Sequence, residues 1–204
     1  MSESSTIIQD IDIMRKRGLA SLAFFYHDFR EDQKKDLRGL LSSMLFQFCD
    51  QSDSYYDILF TFYSTHRRGA QNPSDEALIH CLQDILKLRG RAPIFLIVDA
   101  LDECSNKSSM PSPREDVLLL VKELTDLQLP NLRICVTSRP EVDIKGVLYP
   151  LTFRSISLHD ERGQMEDIEN YIKYAVNVDT RNRRWTAEDK QLVIDALTKN
   201  ADGM

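Results

Sequence analysis

The sequence is short of most features that announce a function by themselves. Its four cysteines, Cys49, Cys81, Cys104 and Cys135, are far apart and form no C-x-x-C. That spacing excludes a zinc ribbon and a redox pair. Cys49, Cys81 and Cys135 sit in apolar patterns and are expected to be reduced core residues. The four histidines form no H-E-x-x-H or other ligand pair. No metal cluster is expected. Basic residues are outnumbered, 26 against 32 acidic, for a net charge of -6. An even spread of that charge, with no basic arm, argues against a nucleic-acid binder. The N-terminus has neither a basic n-region nor an apolar h-region, so no signal peptide is expected. No apolar run approaches the ~20 residues of a membrane span. Glycine is scarce too. None of the seven is followed by lysine and no two stand five apart, so G-x-x-x-x-G-K-[ST] does not occur.

What is present is ordinary globular material: 204 residues, 42% hydrophobic and 28% charged. A chain of that length buries enough surface to fold without disulfides or metal. Together these features predict a cytoplasmic protein of a reducing compartment. Ile7, Ile8, Ile11 and Met14 recur at helical spacing, and Gly18 ends that helix. Leu19–Tyr26 predicts a buried strand. Leu37, Leu40, Leu41, Met44, Leu45 and Phe48 mark one face of a helix, and a second helix covers Ser54 to His66. Ser74 is a good N-cap for a helix running to about Arg89. Ile94–Val98 predicts a strand buried on both faces. A polar loop, 104–113, precedes a helix marked by Val117, Leu120, Val121 and Leu124. Leu132–Thr137 is the next strand, and Phe153–Leu158 a weaker alternating one. Two helices, about 164–177 and 187–200, close the chain, with Thr186 and Asp189 resembling a capping box and Gly203 suited to a C-cap. Alternating helices and buried strands imply a three-layer α/β fold with a parallel sheet. A domain over 1–160 and the start of a helical subdomain over 161–204 are expected.

Two strand ends carry chemistry. Ile94–Val98 delivers Asp99, Asp102 and Glu103 to a carboxyl end, where open α/β sheets bind ligands. A carboxylate there can hold Mg²⁺ through water, and a second can orient or deprotonate an attacking water. Asp99 suits the metal; Asp102 and Glu103 are the catalytic candidates, Glu103 the better base. The second strand ends in Thr137, Ser138 and Arg139, three candidates for cofactor binding. Arginine suits phosphate because its planar fork donates paired bonds and stays charged. One helix separates the two strands, as a right-handed crossover requires.

The segments FYHDFREDQKKDLRGLLSSMLFQFC, IFLIVDALDEC and LRICVTSRPEVDI, taken in order, resemble the NACHT-type NTPase domain. More specifically, they resemble the nephrocystin-3-like N-terminal domain of large fungal receptor-like proteins of the STAND class. The likeness runs from about residue 4 to residue 204. It implies a P-loop NTPase-like fold in which ATP/ADP exchange with Mg²⁺ switches a signalling protein between states, with protein partners or self-association through the NTPase domain. It also implies Asp99 as the Walker B acid, Asp102 and Glu103 as the following acidic pair, and Arg139 as the sensor-1 arginine.

The missing motif is the departure from that pattern. The family begins with a strand and the phosphate-binding loop, so the fold is expected to be truncated at its N-terminus, with Ser4–Ile13 matching the helix after the loop. The far end is expected to continue into further helices. The loop supplies backbone N–H bonds and an ammonium to phosphate. Losing three bonds of about 1.5–3 kcal/mol each removes about 5–9 kcal/mol, or on the order of a thousand- to a million-fold in affinity. The chain alone is therefore expected to bind MgATP very weakly or not at all, and to be marginal or partner-dependent because sheet edges are left unpaired. A degenerate interaction module without nucleotide is the alternative. A Mg²⁺-dependent phosphotransfer enzyme or hydrolase using the Asp99–Glu103 cluster is a third. Arg181, Arg183 and Arg184 beside Trp185 are expected to form a solvated turn, and Phe24, Phe25 and Tyr26 to be core aromatics.

Overall fold

The structure is a computed structural model. It describes residues 3–31, 36–88, 90, 92–106, 111–157, 162–179, 182 and 184–200. The chain divides into two compact units, Met1–Thr152 and Phe153–Met204.

The first unit is built on a parallel sheet in the order β1 (Ser21–Tyr26), β2 (Ile94–Asp99), β3 (Leu132–Val136). Tyr26 lies opposite Asp99, and Val98 opposite Val136, so all three strands end at one edge of the unit. Side chains alternate across the strands. Leu22 and Ile97 meet Ile8 and Ile11 of α1 (Glu3–Lys16) on one face. Ala23, Phe25, Leu96 and Val98 meet α2 (Leu37–Cys49), α4 (Asp75–Leu86) and α5 (Pro113–Asp126) on the other. α3 (Asp53–Thr65) lies on that second core through Tyr55, Ile58, Leu59 and Phe62. Helices thus cover both faces, which is why β2 reads as a continuous apolar run.

Local chemistry sets the element ends. Gly18, at φ +70°, closes α1 with Leu19 N–H donating to Met14 C=O (3.0 Å) and Gly18 N–H to Arg15 C=O (2.9 Å). That backbone twist suits glycine. Asp36 caps α2 by accepting from Gly39 N–H, and Ser74 caps α4 by accepting from Ala77 N–H. α5 opens with a capping box between Ser112 and Glu115 and has Pro113 in its first turn.

The outer edge of β1 is closed by side chains. The Gln51 amide accepts from Leu22 N–H (2.9 Å) and donates to Leu22 C=O (2.6 Å). Gln47 does the same at Phe24, at 3.0 and 2.7 Å. Two glutamines of α2 thereby stand in for a neighbouring strand. At the other edge, among the described residues, β3 pairs with β2 alone.

Some expectations fail. A short helix, α6 (Val142–Leu148), follows β3 where no helix is expected. It has no side-chain cap, and Ile144, buried in the core, holds it together with Val147 and Leu148 packed against that core. The expected strand over Phe153–Leu158 does not form over 153–157, and Leu158 lies outside the described residues. Phe153 is fully exposed. An alternating pattern is compatible with a strand and does not by itself make one.

The second unit consists of α7 (Arg162–Val178) and α8 (Ala187–Asn200), packed on each other. Val176 and Ile194 are buried. The Thr186–Asp189 capping box is present: Asp189 accepts from Thr186 N–H (3.0 Å), and Thr186 Oγ1 from Asp189 N–H (3.1 Å). The Thr186 hydroxyl, donating to Asp189 Oδ2 (2.7 Å), and then the Thr186 N–H hold the Asp189 carboxyl below its usual pKa. Trp185 is partly exposed. Arg181, Arg183 and Gly203 lie outside the described residues. Among the described residues no helix is long and apolar enough to cross a membrane.

Candidate functional site

Parallel strands bring their carboxyl ends together, and here the polar residues leaving them interlock. His27 N–H donates to Asp99 C=O (3.0 Å), and Thr137 N–H to Val98 C=O (2.9 Å). The ladder thus extends one residue past β1 and one past β3. His27 is buried, edge-on to Phe25 with ring centres 4.9 Å apart.

Asp99 and Thr137 meet directly. The Thr137 hydroxyl donates to Asp99 Oδ1 and accepts from Ala100 N–H at 3.1 Å. Thr137 C=O accepts from Leu101 N–H at 3.0 Å. These bonds hold Ala100 in the left-handed region, φ +54° and ψ +47°. That conformation costs a non-glycine residue roughly 1–2 kcal/mol and persists only where surroundings enforce it. The buried Leu101 side chain anchors the turn that follows. The chain therefore reverses at once from Asp99 into a 3₁₀ turn, Leu101–Glu103, which presents the acidic pair beside the strand ends.

Asp102 turns to the third strand's loop. Its Oδ1 accepts from Arg139 N–H (3.0 Å) and its Oδ2 lies 3.4 Å from Arg139 Nε. Asp102 keeps 11% of its side-chain surface exposed and Arg139 keeps 82%. The pairing fixes the loop backbone and leaves the rest of the guanidinium in water. Glu103 is half-buried, and its charge helps to raise the Arg30 pKa, although the main cause is the hydrogen-bonded carboxylate of Asp28. Ser138 is exposed. The structure thus joins Asp99 to Thr137 and Asp102 to Arg139, with Glu103 and Ser138 on the flanks.

Sequence reasoning missed Arg114. This residue is 7% exposed. Its guanidinium donates to Asp102 C=O (2.6 Å) and Cys104 C=O (3.1 Å), and pairs with Asp143 of α6 (3.1 Å). One cation thereby ties the acidic turn to α5 and α6. A signal was available: a cation in the first turn of a helix opposes the dipole and needs another reason to be there. Cys104, expected in a surface loop, is buried, which pushes its thiol pKa up to about 12. Cys81 is buried as expected, with its thiol up to about 11, while Cys49 and Cys135 are half-buried.

The fit to Mg²⁺ follows from the donors. Among the described residues no group of three or more His, Cys, Asp or Glu could hold a metal. Mg²⁺ bound to nucleotide needs only one or two carboxylates, since phosphates and water supply the other ligands. Asp99, held by a hydroxyl at a strand end, fits that role and not that of an all-protein metal site.

The fold and this strand-end cluster define an α/β domain with its polar groups at the sheet's carboxyl edge. The family model for nephrocystin 3, N-terminal, matches residues 3–139, from α1 through Arg139. The chain belongs to that family. No curated protein and no solved structure matches it.

Proposed function

We propose that the chain is part of a NACHT-like NTPase module of a STAND-type signalling protein, cytoplasmic, whose strand-end cluster senses a nucleotide's phosphates through Mg²⁺. The observation that supports this reading is the junction of Asp99 with Thr137 across adjacent strand ends, with Arg139 held beside it by Asp102. In this reading Asp99 holds the ion, which would neutralise phosphate charge, and Thr137 orients the carboxylate. Glu103 faces the attacking water as base, and Asp102 positions Arg139 toward the phosphate end. Arg139 has the reach for that, because among the described residues its side chain is engaged at Nε alone and is 82% exposed. The phosphate cradle belongs to a G-x-x-x-x-G-K-[ST] segment that the sequence does not contain.

Calorimetric titration with MgATP tests the reading in two forms. The chain as given is expected to show no saturable binding at low micromolar ATP. A form carrying a strand and phosphate-binding loop from a family member ahead of Glu3 is expected to bind and hydrolyse MgATP. In that form Asp99→Asn should lower turnover at least about tenfold. Failure of the extended form to bind would leave the interaction-module reading.

A further inference from the structure

α3 and α4 diverge around an open groove of about 720 Å³. Ile58, Phe62 and Cys81 contribute its apolar floor, and all three pack into the main core from below. Asp57, Glu76 and Asp84 stand on its rim with His80, and among the described residues no lysine or arginine lines it. Among the described residues none of these three carboxylates enters an ion pair. No residue of the groove belongs to the strand-end cluster.

We propose that this groove is a docking site for a basic amphipathic helix of a partner protein. An apolar trough between two helices suits the apolar stripe of a third, with anchors at i, i+3, i+4 and i+7. Its lining runs from Glu76 to Asp84 on α4 and from Asp57 to Thr65 on α3, so its length is about 13 Å, which is about two and a half turns of a docked helix. Charge selects the occupant. Three carboxylates against one histidine, with none of the three in an ion pair, repel nucleic acid and anionic lipid alike, and favour lysine or arginine along the polar flanks of the incoming helix.

The test uses the whole chain and a fluorescein-labelled 15-residue helical peptide with leucine on one face and lysine on the other. A matched peptide with glutamate for lysine is the control. The basic peptide is expected to give a saturable anisotropy change, and the acidic one none. Asp57→Lys with Asp84→Lys should weaken binding about tenfold. Glu123→Lys with Asp126→Lys, an equal charge change at exposed positions of α5, should leave binding unaltered. Absence of saturable binding overturns the proposal, and so does an equal loss from the α5 pair, which would mean attraction to net charge alone. Far-UV circular dichroism checks each fold. If the lysine reversals unfold the chain, Asp57→Asn with Asp84→Asn carries the same comparison.

Discussion

A guanidinium buried in the first turn of a helix stands where the backbone N–H groups already make the potential positive. Arg114 is stable there because two carbonyls and the Asp143 carboxylate surround it. Replacing it by methionine keeps the bulk and leaves those acceptors without their donor. The expected loss is about 2–4 kcal/mol of stability, read from urea denaturation. Arg114→Lys should recover only a small part, since the three partners are met by three different nitrogens of one plane. Stability of Arg114→Met equal to the parent would mean that water replaces the cation. At this scale the sequence was legible in part. Asp99, Asp102 and Arg139 stood out because charged residues directly after apolar runs are conspicuous. The partnership of Thr137 with Asp99 spans 38 residues, and that of Arg114 with Asp143 spans 29. Contacts of that range leave no period in the chain.

At the scale of elements, capping decides where α5 begins. Ser112 is buried, its hydroxyl accepting from Glu115 N–H (3.2 Å) and donating to Asn106 Oδ1 (3.0 Å). Ser112→Ala removes both bonds and should cost about 1 kcal/mol, measured as a shift in the denaturation midpoint. Because α5 carries Arg114, the substitution also loosens the acidic turn's support. Elements with a strong apolar stripe or run, such as α2, β2 and β3, were legible to within a residue or two, and α4 at its start, though it ends at Leu86, three residues short of the expected Arg89. α6 was not: seven residues held by Ile144, Val147 and Leu148 carry too little pattern. The run at 153–157 failed in the opposite way: it has the alternation of a strand and forms none, although β3 has no second strand partner among the described residues. Periodicity reports which face is apolar, and tertiary context decides whether a partner exists for it.

The molecule as a whole has a sheet with two unlike edges. β1 is sealed by Gln47 and Gln51, whereas Ile134 and Val136, by the alternation of a parallel ladder, turn their N–H and C=O groups away from β2. Such an edge invites pairing with another chain. Concentration-dependent association is therefore expected in sedimentation velocity. Ile134→Pro should suppress it, because proline is tolerated on an edge strand and removes an outward donor. Reversible, cooperative melting with no association at any concentration would show instead that the edge is protected.

The glutamine seal also sets a stoichiometry. A sheet with two open edges has a valence of two and can add chains without limit, the geometry of fibres. A sheet with one open edge has a valence of one, and two such sheets joined edge to edge are saturated. A second copy of this sheet joined at β3 therefore ends the assembly, and the residues that impose that limit sit on α2, beside the opposite edge.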